Sequence, residues 1–305
     1  MSINLITGNE EAKRAIVNQW KMNKNSGTYL FYGKKGAYLK EFALAFAKGI
    51  NCNESIHDFC DKCRVCNNIN KEIYSDLHII NASEGTVKID QIRELIKNAS
   101  ETSYEMGKKV FIIEDVNKLR KESSNALLKI IEEPPKDTYF ILLANSLNIL
   151  PTIKSRSLAI EIQKLTHEEL GVEESIYNFF LGDVKDIREF KAGAYALSKE
   201  SYKNTAIYMK EYLETGDFLS KIRAYSALEN FILEKNYLSE IDKIVFAETL
   251  DKAIGKNRDF LEYILYQMTL KSKNLKKLEY LLELKEMIRY NVNISVLLVN
   301  FILNI

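Results

Sequence analysis

Proline divides this chain more sharply than any other residue. All three prolines, Pro134, Pro135 and Pro151, fall in one short window, and none occurs from residue 152 to the last residue, 305. Proline interrupts helices, so a long proline-free stretch carrying only five glycines and steady apolar spacing predicts helices throughout. Phe218, Ile222, Tyr225, Leu228 and Ile232 recur at steps of three and four. So do Leu261, Ile264, Leu265 and Met268, then Leu275, Leu278 and Leu282. Each stripe marks an amphipathic helix that needs a partner face, which predicts a helical bundle.

Before the prolines the pattern changes. Short apolar runs rich in β-branched and aromatic residues, 29–32, 77–80, 110–113, 139–143 and 158–162, alternate with helical stretches such as 40–49, 89–99 and 123–131. Nearly continuous apolar strands separated by helices predict a parallel sheet covered on both faces, with ligands at the carboxyl ends of its strands. The fold class is therefore α/β followed by an all-α part. Lys+Arg and Asp+Glu nearly balance at 43 and 42, so no general basic excess points to a nucleic-acid coat. The longest apolar run, 296–303, is broken by Asn300 and is far shorter than the roughly 18 residues of a membrane span. The amino-terminal residues lack the layout of a signal peptide. These features predict a cytoplasmic protein without membrane contact, whose four cysteines are metal ligands rather than disulfides.

Cys52, Cys60, Cys63 and Cys66 form the most specific local pattern. Two overlapping C-x2-C steps let successive thiolates wrap one ion, and a fourth from the preceding segment closes a tetrahedron. Four sulfur ligands leave no position for water, so such a zinc would be structural. Free buried thiols and a redox C-x2-C pair are the alternatives. His57 and His78 are read as surface or packing residues, and Trp20 as core packing for the first helix. Lys62 and Arg64 stand among Glu54, Asp58 and Asp61, poor electrostatics for DNA binding by the cysteine segment.

The strand at 29–32 runs into Gly33-Lys34-Lys35-Gly36-Ala37-Tyr38-Leu39-Lys40 and then a helix. Strand, glycine-rich turn and helix are the setting of a phosphate loop, G-x-x-x-x-G-K-[ST]. Gly33 and Gly36 are glycines, but Tyr38 replaces the second motif glycine, Leu39 the phosphate-pairing lysine and Lys40 the magnesium-ligating hydroxyl. A side chain at Tyr38 obstructs backbone approach to phosphate, and Leu39 cannot neutralise it. An ordinary strand-to-helix turn is the alternative to a vestigial loop. Val110-Phe111-Ile112-Ile113-Glu114-Asp115 has the form of a Walker B strand, with its two carboxylates in reversed order. Together these changes argue against hydrolysis and against tightly bound ATP at this chain's own site.

Residues 124–135, Ser-Asn-Ala-Leu-Leu-Lys-Ile-Ile-Glu-Glu-Pro-Pro, and 150–157, Leu-Pro-Thr-Ile-Lys-Ser-Arg-Ser, closely resemble the bacterial clamp-loader subunits of DNA polymerase III. The cysteine module stands where that family carries one. Loss of the phosphate-loop lysine resembles the delta-prime subunits more than their ATPase relatives gamma and tau. The resemblance covers about 165 residues. It implies an AAA+ domain at 1–165 with a zinc module at 50–70, a small helical lid at 166–201 and a helical collar domain at 202–305. It also implies that Ser155 and Arg156 form the serine–arginine pair of the family's SRC motif, whose arginine enters a neighbour's ATP site; the motif cysteine is Ser157 here. Asn145 falls at the family's polar sensor position. A fork of charged donors suits an arginine supplied in trans to phosphoryl transfer. A local ion pair is the alternative role for Arg156. Ser123 or Ser124 is expected to cap the helix before Pro134, and Lys118, Arg120, Lys121 and Lys129 mark either a DNA-facing or a merely solvated surface.

The resemblance thus implies a subunit without intrinsic activity, part of the DNA polymerase III holoenzyme, that donates Arg156 to an adjacent ATPase during loading of the sliding clamp. Its partners would be gamma/tau and delta subunits, with clamp and primed DNA reached through the complex. Two other readings remain: an active gamma/tau-like ATPase, which an intact Gly-Lys-Thr would favour, and a zinc-containing DNA-binding adaptor, which a basic face would favour.

Overall fold

The computed structural model describes residues 2–34, 36–81, 87–105, 107–255, 258–271, 275–289, 298–299 and 302. By compactness the chain resolves into two units, 1–172 with 182–185, and 173–181 with 186–305.

The first unit follows the order α1 (Glu10–Lys21), β1 (Gly27–Tyr32), α2 (Leu39–Asn51), α3 (Arg64–Asn70), β2 (Leu77–Ile80), α4 (Ile89–Ser100), β3 (Lys109–Ile113), α5 (Lys121–Glu132), β4 (Thr138–Ala144), α6 (Pro151–Lys154), β5 (Leu158–Glu161) and α7 (His167–Leu170). Its five strands form one sheet in the order β2-β3-β4-β1-β5, and every pairing is parallel. β3 and β4 are buried at every position, the mark of strands covered on both faces. Strand side chains alternate, and the two faces sort cleanly. Tyr29, Phe31, Val110, Ile112, Tyr139 and Ile141 pack with α1, α2 and the cysteine segment. Leu30, Phe111, Ile113, Phe140 and Leu142 pack with α4 and α5. The doubly covered parallel sheet predicted from the apolar runs is present, with strand limits within one or two residues.

Two local features differ from the sequence reading. α5 starts at Lys121 with Arg120 at its cap position, so Ser123 and Ser124 lie inside the helix and are buried. Ser123 Oγ donates to the Val87 carbonyl at 3.1 Å, tying α5 to the segment before α4 instead of capping. In the last helical stripe Leu282 is exposed while Leu281 and Leu284 are buried. Leucines crowd that helix, so several stripes satisfy the same period and only packing chooses among them.

The second unit contains α8 (Glu174–Phe179), most of α9 (Val184–Ala192), α10 (Thr205–Thr215), α11 (Phe218–Glu234), α12 (Glu240–Ile254), α13 (Arg258–Lys271) and α14 (Leu275–Arg289). The α11 stripe from Phe218 to Ile232 is buried, as are Leu261, Ile264 and Leu265. Stacked rings hold the bundle: Tyr225 on Tyr263 at 3.7 Å and Phe231 on Phe246 at 3.9 Å between centroids. The side chains of Met268 and Leu275, and most of the run 296–303, lie outside the described residues. No helix among the described residues is long and apolar enough to cross a membrane.

Trp20 fixes α1 to α2 through a glycine. A Cβ at Gly49 would stand 2.2 Å from the indole, so only glycine admits the ring, which also meets Phe46 at 6.3 Å and Phe59 at 6.5 Å. Gly49→Val should therefore lower unfolding stability by about 2 kcal/mol through overpacking. Urea denaturation followed by fluorescence of this single tryptophan measures it; an unchanged midpoint would refute the tight seat.

Candidate functional site

The carboxyl ends of β1, β3 and β4 bring the altered phosphate loop beside the acidic pair. Gly33 N–H donates to the Ala144 carbonyl at 3.1 Å, and a Cβ at Gly33 would stand 2.1 Å from the Ile162 carbonyl oxygen. Gly33 is thus required by backbone crowding between β4 and the exit of β5, whatever ligand the loop meets. Gly36 has φ +91°, a conformation that side chains rarely adopt, and the Lys164 side chain crosses above it. Tyr38 turns its hydroxyl to the Thr7 carbonyl and its ring to Phe42, at 5.5 Å. Leu39, the first residue of α2, packs against the core.

Lys40 is the cation that faces the acidic residues of this site. Its ammonium lies 2.8 Å from Glu72 Oε1 and 3.2 Å from Glu114 Oε1, the second contact an ion pair outside hydrogen-bond alignment. Burial lowers its proton affinity, but the Glu72 hydrogen bond and the Glu114 charge outweigh that and raise it overall. A raised pKa keeps Lys40 charged through the ordinary lysine range, so the ion pairs hold at neutral pH and weaken only as pH rises beyond that range. Glu72 comes from the residues just after α3, in a left-handed backbone conformation with φ 59°. No motif pointed to it, because its partner is far away along the chain.

The two carboxylates of the β3 exit diverge. Glu114 meets Lys40, whereas Asp115, also left-handed at φ 53°, pairs its carboxylate with Lys118 at 2.8 Å and accepts the Lys118 N–H at its backbone carbonyl at 2.7 Å, before the turn Val116–Lys118. Asn145 is exposed, and its backbone N–H donates to Asn117 Oδ1 at 2.9 Å. Asn117 in turn donates to the Ser146 and Asn148 carbonyls at 3.2 and 3.1 Å. Asn117 therefore organises the loop after β4, a role that the sequence reading missed.

Arg156 belongs to a different place, just after α6. Its Nε stands 2.8 Å from Glu132 Oε2, and Nη1 donates to the Thr152 carbonyl at 3.1 Å and reaches Ser155 Oγ at 3.5 Å. Ser155 Oγ donates to the same Thr152 carbonyl at 3.2 Å, and Ser157 Oγ to the Ile153 carbonyl at 2.8 Å. None of these contacts reaches Lys40 or Glu114.

The four cysteines converge. The Sγ atoms of Cys52, Cys60, Cys63 and Cys66 all lie within 4.8 Å of one another. A tetrahedral zinc with bonds of about 2.3 Å spaces its sulfurs by roughly 3.8 Å, so a small contraction completes the site. The Cys63 N–H donates to Cys60 Sγ at 3.3 Å and the Cys66 N–H to Cys63 Sγ at 3.4 Å, bonds that favour thiolates. Backbone donation, led by the Lys62 N–H, pulls the Cys60 thiol down to about 6, while burial pushes the Cys66 thiol up. This donor set fits zinc. His57 is exposed and His78 stacks on Phe111 at 4.6 Å; neither joins the cluster. Lys48 fastens the segment to α2 by pairing with Asp61 at 2.5 Å and lying 4.1 Å over the Phe59 ring.

Residues 8–166 match the protein family described as DNA polymerase III, delta subunit. The chain belongs to this family of bacterial AAA+ clamp-loader subunits. It is 35% identical over 180 residues to DNA polymerase III subunit gamma of Buchnera aphidicola, covering 58% of this chain and 48% of that one. To subunit delta′ of Bacillus subtilis it is 34% identical over 153 residues, covering 50% and 46%. The chain thus spans about half the length of these curated relatives. Among solved structures, a DNA polymerase III gamma subunit-related protein of Thermotoga maritima shares the fold, with TM-score 0.65 over 95% of this chain and 98% of that one at 16% identity.

Elemental analysis of freshly purified protein should find one zinc per chain, and chelation should lower the melting temperature, because metal binding at such a site is part of folding. Protein free of metal, with a melting curve that a chelator does not move, would contradict the assignment.

Proposed function

We propose that this chain is a delta-prime-type clamp-loader subunit that does not hydrolyse ATP itself and lends Arg156 to the ATP site of a neighbouring subunit. The observation that carries the reading is the internal neutralisation of its own site. Phosphoryl transfer needs a cation on the β- and γ-phosphates and carboxylate-held magnesium. Here the lysine position is Leu39, half-buried against the core, and Glu114 already faces the Lys40 ammonium at 3.2 Å. A nucleotide would have to displace Lys40 and would still lack its own cation, so no tightly bound ATP is expected. Likeness alone does not separate delta-prime from gamma, since the identities are 34% and 35%.

In this reading residues 1–165 form the AAA+ domain, 166–201 a lid, and 202–305 a collar domain that joins gamma/tau and delta subunits in a cytoplasmic complex. Sliding clamp and primed DNA are met through that complex. Zinc at Cys52, Cys60, Cys63 and Cys66 is structural, since four thiolates leave no position for a reacting water. Asn145 and Ser155 shape the loops on either side of α6, and Arg156 supplies the charge. Stabilising the charge that spreads over the transferred phosphoryl group is a large part of such catalysis, and a guanidinium supplies it in a forked geometry.

Arg156→Ala should lower ATP turnover of the reconstituted complex by at least about a hundredfold, a conservative figure for a finger in trans. Its melting temperature should stay near that of the parent, because the lost ion pair is half exposed. Unchanged turnover would remove the finger assignment.

A further inference from the structure

We infer that Glu132 is a positioning residue for Arg156, its charge holding the guanidinium beside Nε so that Nη2 is left to a partner's phosphates. This rests on the finger reading of Arg156.

The two sequence segments on which the family resemblance was drawn meet at this one ion pair. Glu132 is the last residue of α5, and Arg156 follows α6 by two residues. A helix carboxyl end carries partial negative charge and favours cations, yet α5 ends in Glu132 with Glu133 as its cap. A carboxylate at that end is unfavourable unless a cation faces it, and Arg156 Nε at 2.8 Å does so. The pair cannot be explained by stability. The side chains are 31% and 54% exposed, and pairs so accessible to water contribute little to folding.

The geometry divides the guanidinium. The Glu132 carboxylate stands 2.8 Å from Nε as an ion pair outside hydrogen-bond alignment, while Nη1 donates to the Thr152 carbonyl and reaches Ser155 Oγ. Nη2 has no partner among the described residues. The groups that face Nε and Nη1 belong to α5 and α6, which pack on the sheet through Ile130, Ile131 and Ile153. Nη2 stands at the end of a long side chain whose free rotation would otherwise have to be lost on each encounter with a neighbour's nucleotide. Fixing it beforehand raises the fraction of encounters with donors aligned, which acts on the transition state rather than on nucleotide affinity.

The test uses the complex reconstituted with its ATPase partners and compares Glu132→Ala, Glu132→Gln, Arg156→Ala and the double variant. Glu132→Ala should lower kcat about tenfold with KM for ATP unchanged. Glu132→Gln, which keeps the size of the side chain but loses the charge facing Nε, should recover little of that loss. The double variant should be no slower than Arg156→Ala alone, because both act through one guanidinium. Melting curves within a degree or two of the parent exclude misfolding as the cause. If Arg156→Ala lowers turnover while Glu132→Ala leaves it unchanged or raises it, the finger stands and the positioning role falls. If Arg156→Ala itself changes nothing, the finger reading falls and takes the positioning role with it.

Discussion

A parallel sheet has to be covered on both faces, and that constraint decides where this chain can hold chemistry. Every residue of β3 and β4 is buried, and alternate side chains are committed to opposite layers. Polar groups are left to the strand exits and the loops beyond them. Gly33, Glu114 and Asn145 all stand at such exits, where β1 and β4 are neighbours although far apart in sequence. Parallel α/β sheets place ligands at such carboxyl ends.

Two cations are treated differently in this setting. Lys40 is paired with both Glu72 and Glu114. Its charge is used inside the chain. Arg156 faces a carboxylate at Nε and donates from Nη1 to a carbonyl, the two partners coming from the helices on either side of β4 in sequence. In the proposed function the first arrangement closes the chain's own nucleotide site and the second keeps a donor available to another. The cysteine segment connects to the first of these: α3 begins at Arg64, directly after Cys63, and the chain reaches Glu72 just beyond its end. Ordering of that segment therefore bears on where the Glu72 carboxylate stands.

The layered fold was legible because buried strands are short, apolar and rich in branched or aromatic side chains, and because prolines mark the end of the α5 region. The start of α5 was not, since Ser123 looks like a cap yet serves a long-range hydrogen bond to Val87. The helical stripe near Leu282 was ambiguous for a different reason: adjacent leucines satisfy two registers equally well. At the site, the cysteine ligands could be read because their spacing is local. Glu72, Asn117 and Glu132 could not, because each acts on a partner that only the folded chain brings near. A sequence displays what has changed in a motif, such as Leu39 for lysine, but not which carboxylate neutralises the cation next to it.

With Leu39 in the lysine position and Lys40 already facing Glu114, the proposed function has this chain bind no triphosphate at its own site. Calorimetric titration of magnesium–ATP into the purified full chain tests it directly. The account predicts no binding heat at micromolar concentrations and no phosphate release. Tight, magnesium-dependent binding followed by turnover in the absence of other subunits would contradict it.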